Sequence, residues 1–189
     1  MHSHYLIHKP YGYLSQFVNN GPEQGKKKLL GELHDFPKRI MAIGRLDEPS
    51  EGLLLLTTDG MMSEMVRGKK VEKEYFAQVD GLVDEEAIRL LENGIEIGFH
   101  GKKYTTKPCM VKSIDDPNFP DRTQKIRDLK HGPTSWVSIT LKEGKFRQVR
   151  KMTAAVGLPT LRLVRVRIGN YKMKDFNSGE VIPLEKIEV

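Results

Sequence analysis

Apolar residues recur along this chain with two periods, one typical of strands and the other of helices. Apolar runs and strict alternation predict strands over residues 5–7, 53–56, 73–80, 136–141 and 160–168. Capping residues around a helical period predict helices over residues 61–67 and 85–93, and a third from the turn at 142–144 to about residue 156. Few helices among strands joined by short turns indicate an α+β fold with a mostly antiparallel sheet.

The segment GRLDEPSEGLLLLTTDG, at residues 44–60, joins a tight loop to a run of four leucines. Its proline, serine and second glycine favour a loop, whereas residues 53–56 are suited to a strand that is buried on both faces. The loop carries Asp47, whose carboxylate is therefore held beside a rigid element. From these residues alone, Asp47 is either a functional carboxylate or a side chain that hydrogen-bonds its own loop.

Two strands and one loop carry further signals. In the strand over residues 73–80, Tyr75 shares a face with apolar residues, where core packing is its simplest role. In the strand over residues 160–168 the apolar phase shifts near Val164, which predicts a bulge or an arginine that faces inward. The polar segment 115–131 holds two prolines and no clear period, so we expect an exposed loop there.

Length and composition narrow the class of protein. A chain of 189 residues suits one substantial core or two small lobes that share a sheet, so we expect a single catalytic domain over residues 1–189. No apolar stretch approaches the roughly twenty residues of a membrane span, and the first residues do not resemble a secretory signal, so we expect a cytoplasmic protein without a membrane partner.

The residues that commonly bind metals or form disulfides give no strong signal. Cys109 is the only cysteine, which excludes an intrachain disulfide and a cysteine-rich zinc cluster. His2, His4 and His8 alternate with apolar residues, but no carboxylate or cysteine has a clear ligand spacing to them. We therefore expect no metal site.

Positive charge is concentrated near the carboxyl end. The chain has a net charge of +6, and residues 142–167 hold eight basic residues against one acidic residue. Three of these bases, Arg147, Arg150 and Lys151, are expected on one face of the predicted third helix. A localised basic surface favours a polyanion such as nucleic acid, with an ordinary solvated face as the alternative.

Three motifs, in order, carry a family resemblance. They are GRLDEPSEGLLLLTTDG, the strand KEYFAQVDG and the basic stretch EGKFRQVRKM, and KPYG near the start also fits. Together they resemble the RsuA branch of the ribosomal RNA pseudouridine synthases from about Ile7 to Tyr171. Only about six residues precede Ile7, so we expect no S4 RNA-binding module of the kind that many relatives carry before the catalytic part. The short amino-terminal stretch and the segment PTSWVSITLKEG are features in which the chain most resembles the E type of the synthases that modify large-subunit RNA. This resemblance implies that 23S ribosomal RNA is the partner.

The resemblance implies a fold, a reaction and catalytic residues. The expected fold is a mixed, mostly antiparallel sheet in two sub-lobes with helices and a central active-site cleft. The reaction isomerises uridine to pseudouridine after base flipping, and because it is redox-neutral it needs no cofactor. Asp47 matches the essential carboxylate, which acts as a nucleophile or as a base. Arg150 matches the cation that is paired with this carboxylate, and Tyr75 matches the tyrosine that stacks on the flipped base.

The resemblance also implies RNA contacts. Arg45 either fills the space that the flipped base vacates or anchors a phosphate. Phe146 departs from the small or polar residue that is common at its position, so it receives no chemical role. The protein is expected to act as a monomer. The remaining predicted RNA-binding residues are Lys145, Arg147, Lys151, Arg162 and Arg165.

Two other functions compete with this interpretation. A noncatalytic RNA-binding or ribosome-assembly factor would share the basic surface, although it would not need Asp47, Tyr75 and Arg150 together. A glycosidase-like hydrolase would pair Asp47 with Glu51, but four residues along a loop do not set the separation that such pairs require.

Overall fold

The computed structural model describes residues 2–18, 27–68, 71–99, 101–127, 129–173 and 177–189. The chain divides into two compact units. The first comprises Met1–Val71 and Arg165–Val189, and the second comprises Glu72–Val164. Each unit has its own hydrophobic core.

The elements follow one another with short connections. The amino-terminal part holds strands β1 His4–Lys9, β2 Tyr13–Leu14, β3 Lys28–Leu29, β4 Met41–Ala42 and β5 Glu51–Thr57, and helix α1 Gly60–Gly68. The middle part holds β6 Lys73–Asp80, α2 Glu85–Asn93, β7 Glu96–Phe99, β8 Lys102–Thr105, β9 Met110–Ile114, β10 Thr134–Leu141 and α3 Gln148–Ala155. The chain ends with β11 Thr160–Ile168, β12 Tyr171–Lys172 and β13 Val181–Leu184.

Strand β5 forms the centre of the first unit. It pairs antiparallel with β1 and β4, and β1 pairs antiparallel with β13. All seven residues of β5 are buried. Leu53 and Leu55 belong to one apolar cluster, whereas Leu54 and Leu56 belong to another. The predicted strand with two buried faces is therefore confirmed.

The second unit is built on an antiparallel ladder in which β10 pairs with both β6 and β9. Its core face carries Ala77 and Val79 from β6 and Ile139 from β10, and these pack with Leu91 of α2 and Met152 of α3. The predicted α+β class with a mostly antiparallel sheet is confirmed. The central cleft stays a prediction.

Helix α3 is shorter than the sequence predicts. It begins at Gln148, and Arg147 precedes it with a left-handed backbone, φ 53°. The Gln148 side chain accepts a hydrogen bond from the backbone N–H of Lys145, at 2.9 Å, which extends the preceding turn. The prediction that Arg147 lies on one helix face with Arg150 and Lys151 is therefore wrong.

The loop predicted over residues 115–131 contains no strand among its described residues, all but residue 128, but it is anchored rather than freely exposed. The Phe119 ring meets the Trp136 ring edge-on, with centroids 5.7 Å apart. The Arg127 guanidinium forms a two-pronged ion pair with the Asp80 carboxylate. These contacts hold the loop against strands β6 and β10.

Gly52 stands where the loop after Asp47 becomes strand β5. Its φ of +106° is a conformation that side chains with a Cβ rarely adopt. A Cβ at this position would lie 2.3 Å from the carbonyl oxygen and 2.6 Å from the backbone nitrogen of Arg165. Only glycine allows the two strands to approach this closely.

Replacing Gly52 with alanine is expected to lower the free energy of unfolding by at least about 2 kcal/mol, because backbone strain adds to overpacking. Urea denaturation followed by circular dichroism measures this change. The control is Gly60→Ala in α1, where a Cβ meets nothing within 4 Å. There alanine should change stability by less than about 1 kcal/mol. Equal midpoints for the two variants would contradict the steric argument.

Candidate active site

The loop that carries Asp47 is fixed on both sides by the amino-terminal segment. The Ser15 hydroxyl donates to the carbonyl of Leu46 at 2.7 Å and accepts from the Leu46 backbone N–H at 3.0 Å. The backbone N–H of Gly12 donates to the carbonyl of Glu48 at 2.9 Å. The half-buried Asp47 therefore projects from a backbone whose flanking peptide groups are held in place.

Lys9, at the end of β1, is fully buried beside this loop. Its ammonium group donates to the carbonyl oxygens of Pro10 at 2.9 Å, Tyr13 at 2.7 Å and Glu48 at 3.3 Å. Burial lowers the pKa of Lys9 to about 7, against the opposing influence of the carboxylates of Glu51, Glu48 and Asp47. The loop that carries Asp47 is thus held by a hydrogen bond from a desolvated basic group.

Arg165 of β11 is also buried in the first unit, with 4% of its surface exposed. Its Nε donates to the carbonyl of Leu53 at 2.7 Å. The sequence left a bulge or an inward-facing arginine as explanations for the shift near Val164, and the inward arginine is confirmed. The guanidinium contacts the protein interior, and the RNA contact proposed for it stays a prediction.

Arg45 differs from Arg165 because it is exposed. It borders an open hollow of about 740 Å³ that is also lined by Leu14, Phe17 and Met41. A guanidinium at the rim of such a hollow can contact a phosphate or a displaced base, and both alternatives for Arg45 remain open.

Tyr75 and Arg150 belong to the second unit. Tyr75 lies on β6 opposite Ile139 of β10, half-buried against the core, on the face that its alternation predicts. Arg150 lies on α3, also half-buried, and its Nη1 donates to the carbonyl of Thr160 at 3.4 Å. Asp47 belongs to the first unit, so its predicted pairing with Arg150 and Tyr75 stays a prediction.

Arg162 was predicted to bind RNA, yet only 7% of its surface is exposed. Its Nη2 donates to the carbonyl of Pro120 at 2.9 Å, and its guanidinium carbon lies 5.5 Å from the centroid of the Phe119 ring. In this position Arg162 helps to anchor the loop over residues 115–131. Contact with RNA stays a prediction for this residue.

The basic loop, residues 143–147, is organised by its one acidic residue. The Glu143 carboxylate accepts from the Tyr104 hydroxyl at 2.5 Å, from the Lys107 backbone N–H at 3.0 Å and from the Gln148 amide at 2.6 Å. Burial alone would raise the pKa of Glu143, but these hydrogen bonds outweigh it and the pKa lies below its usual value. Glu143 therefore stays ionised at neutral pH and fixes the loop.

Sequence reasoning missed the roles of Lys9, Ser15 and Glu143. Lys9 had a usable signal, since it opens the KPYG stretch that fits the family resemblance, although its burial was not visible in the sequence. Glu143 was visible as the single acid within a basic stretch. Ser15 had no comparable signal, because its partner lies 31 residues further along the chain.

Three other side chains that could act in catalysis, those of His4, Cys109 and Glu51, have structural surroundings instead. His4 is buried and its Nδ1 lies 2.9 Å from the Thr57 hydroxyl. Burial raises the pKa of the Cys109 thiol to about 11, so it is protonated and a poor nucleophile at neutral pH. Glu51, the second carboxylate of the hydrolase alternative, is 4% exposed within β5. That burial argues against it as a partner for a sugar substrate.

Two further features concern metals and membranes, within the described part of the chain. It contains no group of three or more histidine, cysteine or carboxylate residues that could hold a metal ion. None of its helices combines the length and the apolar character needed to cross a membrane.

Comparison with known proteins identifies the class. The structure is similar to a crystal structure of a pseudouridylate synthase with a TM-score of 0.76 and 26% sequence identity, over 97% of this chain and 70% of the other. The model of the RNA pseudouridylate synthase family matches residues 3–155. The chain therefore belongs to the RNA pseudouridylate synthase family, which confirms the resemblance of its motifs.

Curated relatives point to a type within this family. The chain is 40% identical over 179 residues to the ribosomal large subunit pseudouridine synthase E of Vibrio vulnificus (strain CMCP6), covering 93% of this chain and 72% of that protein. It is 41% identical over 171 residues to the protein of the same name from Xanthomonas axonopodis pv. citri (strain 306), covering 89% and 86%.

The buried Lys9 predicts a specific pH dependence of stability. In the unfolded chain its ammonium keeps its proton up to a pKa of 10.5, whereas in the folded protein it releases it near 7. Between these values the unfolded state binds more protons, so raising the pH favours the folded state. Wild-type protein should gain about 2 kcal/mol from this group between pH 7 and pH 9.

Denaturant titrations at a series of pH values test this prediction. The Lys9→Met variant should lose this part of the pH dependence, whatever its stability at a single pH. The matched control is Lys172→Met, which changes an exposed lysine of the same unit and should retain the wild-type slope. A slope for Lys9→Met equal to that of wild type would show that Lys9 keeps its proton in the folded protein.

Proposed function

We propose that this protein isomerises a specific uridine to pseudouridine in large-subunit ribosomal RNA, with Asp47 as its essential carboxylate. The observation that carries the proposal is the loop of Asp47, fixed by Ser15, Gly12 and Lys9 so that one side chain projects from an otherwise immobilised backbone. The names of the relatives support large-subunit ribosomal RNA as the substrate class.

The reaction breaks the bond between the uracil and its sugar, turns the base, and joins carbon 5 to the same sugar carbon. An ionised Asp47 acts either as the nucleophile or as the base that removes a sugar proton. Its fixed loop lowers the entropy lost on reaching the reactive geometry. Arg150 supplies the cation that pairs with this carboxylate, and the Tyr75 ring stacks on the flipped base.

The RNA must present its target uridine outside the base stack, which costs a few kcal/mol that protein contacts offset. Exposed or half-exposed basic side chains supply these contacts, with Arg45 in the first unit and three residues around α3 in the second, Lys145, Arg147 and Lys151. They bind the phosphate backbone, so affinity falls as salt rises. We propose that the protein acts as a monomer in the cytoplasm on 23S ribosomal RNA or its assembly intermediates.

The Asp47→Asn variant is expected to lose at least about a hundredfold in conversion rate, because an amide can serve neither as nucleophile nor as base. RNA affinity should change little, since the substitution is nearly isosteric. Conversion is measured on unmodified large-subunit RNA by pseudouridine-specific labelling and primer extension, which also maps the position. Filter binding measures the affinity.

The matched control is Asp35→Asn, which changes an exposed aspartate of the same unit and should convert RNA at the wild-type rate.

Tyr75→Phe separates two roles of the tyrosine. It should keep RNA affinity through stacking and lose rate if the hydroxyl handles the carbon 5 proton. Unmodified RNA after incubation with folded wild-type protein would instead favour the noncatalytic RNA-binding factor.

A further inference from the structure

An aromatic ring lies exposed within the basic loop. Phe146 has 64% of its surface accessible to solvent, and it stands between Lys145 and Arg147. Single exposed apolar side chains are common, so exposure alone does not identify a site. The groups that surround this ring are more informative.

Two ammonium groups lie beside aromatic rings in this region. Lys151 Nζ is 5.4 Å from the centroid of the Phe146 ring and donates to the carbonyl of Gly98 at 2.7 Å. Lys145 Nζ is 4.8 Å from the centroid of the Tyr104 ring. An exposed ring among cations is the combination with which proteins bind single-stranded nucleic acid, since bases stack on the ring and phosphates are attracted by the charges.

The ring is presented by a loop that is already ordered. Glu143 accepts three hydrogen bonds that tie the loop to β8 and α3, and Arg147 adopts a left-handed conformation that closes the turn next to Phe146. A loop that is ordered before binding loses little backbone entropy when a base stacks on the ring that it carries. The loop therefore has the rigidity expected of a binding surface.

We infer that Phe146 is a stacking site for an unpaired nucleobase of the RNA substrate, separate from the uridine that reacts. Lys151 lies over one face of the ring, so the base stacks on the other face. The surrounding ammonium groups attract the neighbouring phosphates. The identity of the RNA rests on the proposed function, but stacking itself does not, because every base has a π-face.

A binding experiment without chemistry tests the site. The probe is a fluorescently labelled, unstructured RNA of about fifteen nucleotides that contains only adenosine and cytidine, long enough to span a typical single-strand site. Phe146→Ala should weaken binding by about 5- to 100-fold, the range expected for one stacked base. Phe146→Trp should restore the affinity, whereas Phe146→Leu should not, because leucine is apolar but has no π-face.

The salt dependence separates stacking from charge. Phe146→Ala should leave the slope of log affinity against log salt concentration unchanged. Lys145→Gln, by contrast, should reduce its magnitude by about 0.7, the value for one phosphate contact on a single strand. On large-subunit RNA, Phe146→Ala should raise KM and leave kcat unchanged, since the stacked base does not react.

The control is Leu82→Ala, which removes a side chain of similar exposure, 66%, from the same unit and should bind the probe as wild type does. Wild-type affinity in Phe146→Ala or in Phe146→Leu would overturn the inference, as would a wild-type protein that does not bind the probe. Wild-type protein that binds the probe but forms no pseudouridine would refute the proposed function and leave the stacking site standing.

Discussion

An ammonium group removed from water fixes the position of the candidate catalytic loop. The Lys9 side chain joins the end of β1 to the carbonyl of Glu48, next to Asp47, and also donates to the carbonyls of Pro10, directly after β1, and Tyr13 of β2. Desolvation makes this arrangement costly, as the pKa near 7 shows. The carbonyls offset that cost, since each would otherwise lack this donor. An apolar side chain of similar length would fill the space without defining the loop.

A second close approach begins where that loop ends. Gly52 allows the backbone of Arg165 to come nearer than any side chain would permit, and the Arg165 Nε donates to the carbonyl of Leu53 one residue further on. Strand β5 is therefore positioned at its amino-terminal end. The leucines of β5 pack on both faces of the strand, so the position of β5 also determines the packing of the two apolar clusters of the first unit.

Local patterns allowed much of the fold to be predicted. Strands β6 and β11 and helix α2 have the predicted bounds, because alternation and capping are encoded in adjacent residues. Strands β7, β8 and β9 were missed, since each has only four or five residues. β7 and β8 form by pairing with each other as a hairpin, whereas β9 pairs with β10, beyond the loop over residues 115–131. The motifs indicated Asp47, Tyr75 and Arg150, but not the supports of the site. Lys9 and Glu48 are 39 residues apart, and no local pattern reports such a contact.

The carboxylate of Glu143 has a consequence for how this protein can diversify. It links the basic loop to Tyr104 of the β7–β8 hairpin, and both lie in the unit that does not contain Asp47. Changes in the hairpin can therefore re-aim the loop while the support of the Asp47 loop is left intact. A few substitutions in this one hairpin would change how the basic loop is presented, and the hydrogen bonds of Lys9, Gly12 and Ser15 to the Asp47 loop would stay as they are.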